Sequence, residues 1–226
     1  MASKKPFVVT IDGPGGSGKG SLASSVARAL DFHLLDSGAI YRLLALKAQR
    51  LDIDLDDEDR LLGLLDDFDI RFEADTQELA VPYLDGEDVT QSVRLESTGD
   101  AASRVARHAR VREGLLAVQR AFFKPPGLVA DGRDMGTVVF PKARFKFFLY
   151  ASVEIRAQRR YKQLINMGLS ANIAHLQADM AERDARDQNR NASPLVPAED
   201  ALVVESSMMD LDQVTDLVLS HIKGIG

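Results

Sequence analysis

A glycine-rich turn directly follows a short apolar segment near the start of the chain. Residues 7–11 (FVVTI) are rich in β-branched side chains, which is typical of a buried strand, and a helical pattern follows the turn. The turn reads G-x-x-x-x-G-K from Gly13 to Lys19, the spacing of a phosphate-binding P-loop. Inward-pointing backbone N–H groups and the N-terminus of the next helix attract an anion to such a loop. This stretch therefore predicts a strand, a nucleotide phosphate-binding loop and a helix.

One position departs from the common motif. Ser or Thr usually follows the lysine, whereas here Gly20 intervenes and the hydroxyl is that of Ser21. Lys19 supplies a full positive charge for the β- and γ-phosphates of a nucleotide. The pattern indicates phosphate binding but does not identify the reaction. The predicted nucleotide-binding residues are Gly13, Pro14, Gly15, Gly16, Ser17, Gly18, Lys19, Gly20 and Ser21.

Composition excludes several classes of protein. The 226 residues are 45% apolar and 27% charged, which is typical of a globular chain with a sizeable core. The formal net charge of −6 argues against a protein that coats nucleic acid. There is no cysteine, so disulfides, thiolate nucleophiles and zinc–thiolate sites are excluded. No apolar run approaches the roughly 18 residues of a membrane-spanning helix. We expect a cytoplasmic protein without a membrane or nucleic-acid partner.

Strand and helix patterns alternate along most of the chain. Short apolar runs at 32–35, 127–130, 145–150 and 201–204 read as strands, and helical patterns separate them. This alternation implies parallel pairing through right-handed crossovers. The predicted fold class is therefore α/β, with a doubly wound parallel sheet built on the P-loop.

Two segments interrupt this alternation. From residue 69 to 89 the apolar period changes to 2, and the connections are too short for crossovers, so we predict a small antiparallel insert of two or three strands. Helical segments follow at about 93–123. Residues 152–191 form two charged helices that are separated near Gly168.

Polar clusters stand at the ends of three predicted strands, where ligands bind in such sheets. Asp131 closes an apolar strand and, together with Ser21, is a candidate ligand of magnesium, although a turn-forming Asp-Gly pair is an alternative. The next two residues are harder to explain as part of a turn. Arg133 suits a phosphate, and the carboxylate of Asp134 suits an amino group or a sugar hydroxyl.

A second phosphate site is predicted at the helix that begins near residue 37. The hydroxyl of Ser37, the guanidinium of Arg42 and the helix N-terminus suit an anion together. The alternative is an ordinary serine cap with a surface arginine.

A charged run near the end of the second of these helices also has two interpretations. Arg183, Asp187 and Arg190 fall on one helical face, because they are four and then three residues apart, and so form a candidate functional cluster. The alternative is a solvated face with pairs such as Glu182–Arg186. For three arginines of the preceding helix we favour the solvated interpretation; these are Arg156, Arg159 and Arg160.

Four motifs together resemble the bacterial cytidylate kinases. They are GPGGSGKGS at 13–21, LLDSGAIYR at 34–42, DGRDMGTVVFP at 131–141 and RDARDQNR at 183–190. The resemblance covers nearly the whole chain, and the Gly-Lys-Gly-Ser variant is the form carried by nucleoside monophosphate kinases. It implies a single P-loop kinase domain over 1–226, with a monophosphate-binding insert at 66–98 and a helical lid at 152–191.

The resemblance also implies a role for individual residues. It implies a CMP pocket formed by Ser37, Arg42, Ser103, Arg112, Arg133 and Asp134. In that pocket Ser103, Arg112 and Asp134 are the expected readers of cytosine. Arg183 and Asp187 resemble partners of the sugar, and Arg190 a phosphate ligand. With Lys19, the arginines Arg183 and Arg190 are the expected catalytic residues.

The sequence thus predicts a monomeric kinase that catalyses ATP + (d)CMP = ADP + (d)CDP with Mg²⁺. Two alternatives remain open at this point. One is another small-molecule P-loop kinase, acting on UMP, shikimate or a related acceptor. The other is a nucleotide-binding regulator that phosphorylates no small molecule.

Overall fold

The structure is a computed structural model that describes residues 5–73, 81–166 and 168–224. The chain divides into two compact units. Met1–Leu35 and Phe123–Gly226 form the first, called here the sheet unit. Asp36–Phe122 form the second, called here the small unit.

The strands and helices are as follows. In chain order, the strands are β1 (Val8–Asp12), β2 (His33–Asp36), β3 (Ile70–Glu73), β4 (Val81–Leu84), β5 (Glu87–Asp88), β6 (Leu128–Gly132), β7 (Phe145–Tyr150) and β8 (Leu202–Glu205). The α-helices are α1 (Lys19–Leu30), α2 (Ser37–Arg50), α3 (Glu58–Gly63), α4 (Thr90–Arg94), α5 (Glu96–Val105), α6 (Ala109–Arg120), α7 (Val153–Asn166), α8 (Ile173–Gln188) and α9 (Leu211–Gly224). A 3₁₀ turn covers Leu64–Asp67 and a π-helical turn covers Met135–Val139.

The main sheet has the strand order β2-β6-β1-β7-β8. Strand β1 pairs in parallel with both β6 and β7, and β7 pairs in parallel with β8. Every residue of β1 and β6 is buried, because these central strands are covered on both faces. The register sets Asp12 opposite Gly132, so the ends of β1 and β6 coincide. The prediction of a P-loop α/β fold with a parallel sheet is confirmed.

The core of the sheet unit lies between the sheet and its helices. Val9 and Ile11 of β1 pack with Leu22 and Val26 of α1, and Val218 of α9 belongs to the same buried cluster. In α1, the spacing of Leu22, Ala23, Val26 and Ala27 produces one apolar stripe. This packing holds the loop between β1 and α1 on a rigid base.

The small unit contains the antiparallel insert. Strands β3, β4 and β5 form a three-stranded sheet, with Ile70 opposite Leu84 and Tyr83 opposite Asp88. Leu84 packs with Leu43 of α2 in a separate buried cluster. The predicted antiparallel insert is confirmed for the described strands, and residues 74–80 of the predicted segment lie outside the described residues. The proposed boundaries of the insert and of the lid remain predictions.

Within 5–73, 81–166 and 168–224, every helix is too short or too polar to cross a bilayer.

Candidate functional site

The loop between β1 and α1 has the tight curvature that a P-loop requires. A Cβ placed on Gly13 would lie 2.1 Å from the carbonyl oxygen of Leu149, so the loop lies directly against β7. Gly18 caps α1 with φ of 93°, a left-handed conformation that favours glycine. As a result, no capping side chain from the described part of the chain covers the backbone N–H groups at the N-terminus of α1.

Lys19 and Ser17 place buried polar groups at this loop. The Lys19 side chain is 8% exposed; its Nζ donates a hydrogen bond to the carbonyl of Pro14 at 3.1 Å and lies 3.9 Å from Oδ1 of Asp131. Ser17 is 1% exposed, and its Oγ has no hydrogen-bond partner among the described residues. A buried hydroxyl without a partner costs free energy, so an anion that accepts its hydrogen bond would stabilise the loop.

The carboxylate of Asp131 lies beside the start of α1. Asp131 stands one residue before the end of β6 and is buried. A Cβ placed on Gly20 would lie 3.4 Å from Oδ2 of Asp131, which shows how near the carboxylate is to the first turn of α1. Ser21 belongs to that turn and its side chain is exposed. The carboxylate of Asp131 and the hydroxyl of Ser21 are hard oxygen donors, the kind of ligand that Mg²⁺ prefers.

A buried ion cluster is centred on Asp187, on α8. Asp187 is 3% exposed, and its Oδ2 accepts a hydrogen bond from Nε of Arg133 at 3.0 Å. Nη1 of Arg190 lies 3.9 Å from Oδ1 of the same carboxylate. Burial alone would raise the pKa of Asp187, but Arg133, Arg190 and Arg183 outweigh it and the pKa is lowered. Asp187 is therefore an ionised carboxylate among cationic groups.

The guanidinium groups of this cluster reach the P-loop. A Cβ placed on Gly15 would lie 3.5 Å from Nη2 of Arg133 and 4.0 Å from Nε of Arg183. Burial works against the charged form of Arg133, but the carboxylates of Asp187 and Asp131 raise its pKa further above the usual value. Of the predicted site residues, the structure thus brings Arg133, Arg183 and Gly15 together.

The interpretation of Arg156 as a solvated side chain is wrong. Arg156 is 2% exposed and is the largest fully buried side chain among the described residues. Its Nε donates to the carbonyl of Ala151, and its Nη1 donates to the carbonyl of Gly15, both at 2.9 Å. Both terminal nitrogens also bond the carboxylate of Asp184 on α8. Arg156 therefore joins β7, the P-loop and α8.

Arg159 and Arg160 differ from one another. Arg159 donates to the carbonyl of Ser17 at 3.3 Å and to that of Ser206 at 2.6 Å, so it also supports the P-loop. The solvated interpretation is therefore wrong for Arg159 too, because its guanidinium is occupied by backbone carbonyls. Arg160 is half-buried, and its Nη1 donates to Oε1 of Gln163 on the same helix at 3.3 Å.

The sequence did not assign a role to Asp12, the last residue of β1. Its two carboxylate oxygens accept hydrogen bonds from the backbone N–H groups of Met135 and Gly136, both at 2.8 Å. Asp134, one residue earlier, is 3% exposed. Burial and the Asp134 carboxylate raise the pKa of Asp12 to about 6, although the two N–H groups and Lys19 oppose the rise. A carboxylate that ends an otherwise apolar strand was the available signal.

In the small unit, the start of α2 corrects the alternative of an ordinary serine cap with a surface arginine, while the second phosphate site stays a prediction. The capping side chain is that of Asp36, which accepts a hydrogen bond from the N–H of Ala39 at 3.0 Å. Ser37 is the first residue of the helix and is buried. Arg42 is not a surface arginine, because its Nη1 donates to the carbonyl of Val93 at 2.7 Å and to that of Leu95 at 3.1 Å.

The two remaining predicted residues are buried helix positions of the small unit. Ser103 lies on α5, and its Oγ is buried with no hydrogen-bond partner in the described part of the chain. Arg112 lies on α6 and donates to the carbonyl of Ala106 at 3.1 Å. Its guanidinium carbon is 5.3 Å from the centre of the Tyr41 ring. Tyr41 was not predicted as a site residue, although its ring orients the arginine.

Known proteins resemble this chain over its full length. The family described as cytidylate kinase matches residues 9–224. The chain belongs to the cytidylate kinase family. The cytidylate kinase of Aeromonas hydrophila is 54% identical, with 95% of this chain and 93% of that protein aligned. The cytidylate kinase of Burkholderia multivorans is 52% identical, with 100% and 99% aligned. A solved shikimate kinase from Acinetobacter baumannii is 15% identical, with a TM-score of 0.46 over 99% of this chain and 96% of that one.

These findings confirm the predicted family and the predicted class of enzyme. The family match includes the P-loop, the residues around Asp131 and the whole of α8. The roles of individual residues are not decided by family membership.

Proposed function

We propose that the protein transfers the γ-phosphoryl group of ATP to CMP and dCMP, with Mg²⁺. The observation that carries this proposal is the buried cluster of Arg133, Asp187 and Arg190 in a chain that belongs to the cytidylate kinase family. Burying several charged groups together is costly. A buried cluster of arginines beside a P-loop suits the recognition of phosphates, because guanidinium groups bind phosphate oxygens in pairs.

The donor, in this proposal, is held by residues 13–21. Backbone N–H groups of the glycine-rich turn and the N-terminus of α1 would bind the phosphates, and Lys19 would neutralise their charge. Ser17 supports the assignment, because its buried hydroxyl has no protein partner in the described ranges. Arg156 and Arg159 hold the carbonyl groups of Gly15 and Ser17, so the loop keeps its curvature.

Magnesium fits the oxygen donors beside α1. We assign the ion to Ser21 and Asp131, since the Asp131 carboxylate lies close to the turn that contains Ser21. When bound, Mg²⁺ neutralises charge on the phosphate oxygens during transfer. Nζ of Lys19 lies 3.9 Å from Oδ1 of Asp131, so the lysine would lie near the same phosphates as the ion.

The acceptor residues are assigned in each unit separately. In the sheet unit, Arg133 and Arg190 would bind phosphate, Arg183 and Asp187 the sugar, and Asp134 the amino group of cytosine. In the small unit we assign the base and phosphate of CMP to Ser37, Arg42, Ser103 and Arg112. The buried and unpartnered Oγ of Ser103 and the ring-supported guanidinium of Arg112 favour recognition of a planar, polar base.

The chemistry that this site has to supply is alignment and charge stabilisation. A phosphate monoester has a second pKa of about 6, so the attacking oxygen is largely ionised at neutral pH and needs no general base. Transfer passes through a loose transition state, which in-line positioning and cationic groups stabilise. Lys19, Arg183 and Arg190 are the protein cations that we assign to this role, and all three contact or lie among other charged groups in the sheet unit.

A coupled assay of ADP formation tests the proposal directly. The purified protein is supplied with ATP, Mg²⁺ and one acceptor at a time: CMP, dCMP, UMP or shikimate. We expect turnover with CMP and dCMP to exceed turnover with UMP, and none with shikimate. Faster turnover with UMP or shikimate would replace the acceptor, and ADP formation with none of the four would support the regulator instead.

We also propose that the protein works as a monomer in the cytoplasm. The absence of cysteine suits a reducing compartment but does not require one. Sedimentation velocity at the concentration of the assay measures the oligomeric state, and a dimer there would contradict the proposal.

A further inference from the structure

Asp12 connects the end of β1 to the segment that follows β6. It is the last residue of its strand and is 5% exposed. Each of its two carboxylate oxygens accepts one backbone hydrogen bond, Oδ1 from Met135 and Oδ2 from Gly136, both at 2.8 Å. The two donors are consecutive backbone N–H groups, so the Asp12 side chain holds one short stretch of backbone in place.

The segment that Asp12 holds begins directly after Asp134. The backbone there forms the π-helical turn Met135–Val139, and the carbonyl of Asp134 accepts hydrogen bonds from Val138 at 2.9 Å and Val139 at 3.1 Å. The peptide that joins Asp134 to Met135 is therefore restrained on both sides. Its N–H is bonded to Asp12 and its carbonyl is bonded within the turn. This double restraint determines the direction in which the Asp134 side chain leaves the backbone.

The contact between β1 and this turn leaves no room for adjustment. A Cβ placed on Gly136 would lie 2.9 Å from Oγ1 of Thr10 and 3.3 Å from Oδ2 of Asp12. Any side chain at position 136 would have to push the turn away from β1 or displace the carboxylate. The glycine thus permits the close approach on which both Asp12 hydrogen bonds depend.

Stability alone does not account for a carboxylate at this position. The group is removed from water and lies near a second buried carboxylate, that of Asp134, both of which disfavour its charged form. An apolar side chain would end a buried strand at lower cost, but it would leave the N–H groups of Met135 and Gly136 without acceptors. The arrangement therefore favours a role in holding the turn.

We propose that Asp12 is a positioning residue for the acceptor, which acts by fixing the backbone that presents Arg133 and Asp134. Asp12 ends the strand that leads into the P-loop, so the same side chain relates the donor loop to the residues assigned to CMP. The inference rests on the proposed function for the assignment of Arg133 and Asp134 to that substrate. It adds a residue that touches neither nucleotide phosphate nor base.

Steady-state kinetics of three variants test this role. Asp12→Asn keeps the shape but places an amide NH₂ against one backbone N–H, and Asp12→Ala removes both acceptors. Thr10→Val is the matched control, since Thr10 is a fully buried polar residue of the same strand whose Oγ1 has no hydrogen-bond partner among the described residues. We expect KM for CMP to rise by about tenfold in Asp12→Asn and by more in Asp12→Ala. KM for ATP should stay within about twofold in all three variants, and Thr10→Val should match the wild type.

A fourth variant disturbs the contact from the other side. Gly136→Ala retains the carboxylate but inserts a methyl group against Thr10 and Asp12. We expect it to raise KM for CMP in the same direction as Asp12→Asn, because it separates the same partners. A change in KM for ATP as large as that for CMP, in either Asp12→Asn or Gly136→Ala, would overturn the positioning role, and so would kinetics that equal those of the wild type.

Hydrogen exchange measures the contact without any substrate. In the wild type, the N–H groups of Met135 and Gly136 should exchange slowly, because a buried carboxylate accepts both hydrogen bonds. Asp12→Ala should accelerate exchange at these two positions, while N–H groups within β1 and β6 remain protected. Unchanged protection at Met135 and Gly136 would show that Asp12 does not hold the turn. If the wild type does not phosphorylate CMP, the proposed function fails, whereas this measurement still decides whether Asp12 fixes the backbone.

Discussion

Among the described residues, arginines surround an aspartate both at Asp187 and at Asp56, and the environments of these two clusters are opposite. In the sheet unit, the side chain of Asp187 is 5% exposed, with Arg133 at 3.0 Å and Arg190 at 3.9 Å. In the small unit, the side chain of Asp56 is 48% exposed, with Arg104 at 3.0 Å. Arginines lower the pKa of both carboxylates; at Asp187 burial is the largest single cause and opposes them, whereas at Asp56 the hydrogen bond from Arg104 is the largest cause. The residue types are the same, and only the burial differs.

The difference in burial shows that the Asp187 cluster needs a functional explanation, whereas the Asp56 cluster does not. At the surface, solvent screens the charges, so pairs such as Arg107–Asp56 and Arg110–Asp59 contribute little to stability. In the interior, each charge has lost its hydration and the cluster is retained only where its partners compensate for that loss. The buried cluster lies beside Gly15 of the P-loop, which is why we assign it to the reaction.

The largest effect is expected from removing the central carboxylate of the buried cluster. Asp187→Ala removes the buried carboxylate that pairs with Arg133 and Arg190, and should lower the free energy of unfolding by about 3–5 kcal/mol because the positive charges that it offsets stay buried. Urea denaturation measures this loss. Glu182→Gln is the control, because Glu182 lies on the same helix with a side chain that is 73% exposed. A loss below about 1 kcal/mol for Asp187→Ala would place the cluster with the surface pairs.

A loss of similar size, but in turnover rather than stability, is expected at Lys19. Lys19→Met should lower kcat by about a thousandfold, since the developing charge on the transferred group loses its nearest lysine. The urea midpoint should change much less than in Asp187→Ala. Lys223→Met, at an exposed position of α9, is the control for the loss of one positive charge. Turnover near that of the wild type in Lys19→Met would contradict the assignment of the P-loop to the donor.

A third test uses the pH dependence of stability to measure the raised pKa of Asp12. The pKa of Asp12 is raised from 3.8 to about 6, so the folded protein binds this proton more tightly than the unfolded chain. Stability from this group is therefore complete below pH 4 and is lost as pH rises through 6, by about 3 kcal/mol. Relative to Asp12→Asn, which does not titrate, the wild type should lose stability over that interval. Equal pH dependence of the two proteins in urea denaturation would show that the pKa of Asp12 is ordinary.

The smallest effect is expected in the exposed cluster. Asp56→Asn removes the partner of Arg104 and Arg107 but uncovers no buried charge, so the melting temperature should not change measurably. Differential scanning calorimetry at low and high salt measures it. A large decrease in melting temperature at low salt that disappears at high salt would show that the surface network contributes more than its exposure predicts.

Local patterns in the sequence predicted the frame of the molecule. The glycine spacing of 13–21 located the P-loop, whose last glycine before Lys19 caps α1. The change of apolar period near residue 69 located the antiparallel insert. These features depend on residues that are close in the chain, so the sequence contains the information that specifies them.

The parts that were predicted wrongly depend on contacts between distant segments. Arg156 and Arg186 are both arginines of charged helices. Helical periodicity does not reveal that Arg156 bonds the P-loop and Asp184 and is therefore buried. Asp12 was unassigned because its partners are 123 and 124 positions away. Similarly, the surface alternative for Arg42 was wrong, because the side chain donates to the carbonyls of Val93 and Leu95, which are 51 and 53 positions away. Polar residues whose partners are distant backbone groups leave no periodic signal.

The close packing of Gly13 against β7 has a consequence for mutational tolerance. In a library in which the codons of residues 13 and 86 are each randomised, position 13 should accept only glycine, because any Cβ there would overlap the carbonyl of Leu149. Gly86 has an equally unusual backbone, with φ of 83°, but open space around it. Substitution at position 86 should therefore be graded, with asparagine and aspartate enriched over β-branched residues, whereas position 13 should show no survivors other than glycine.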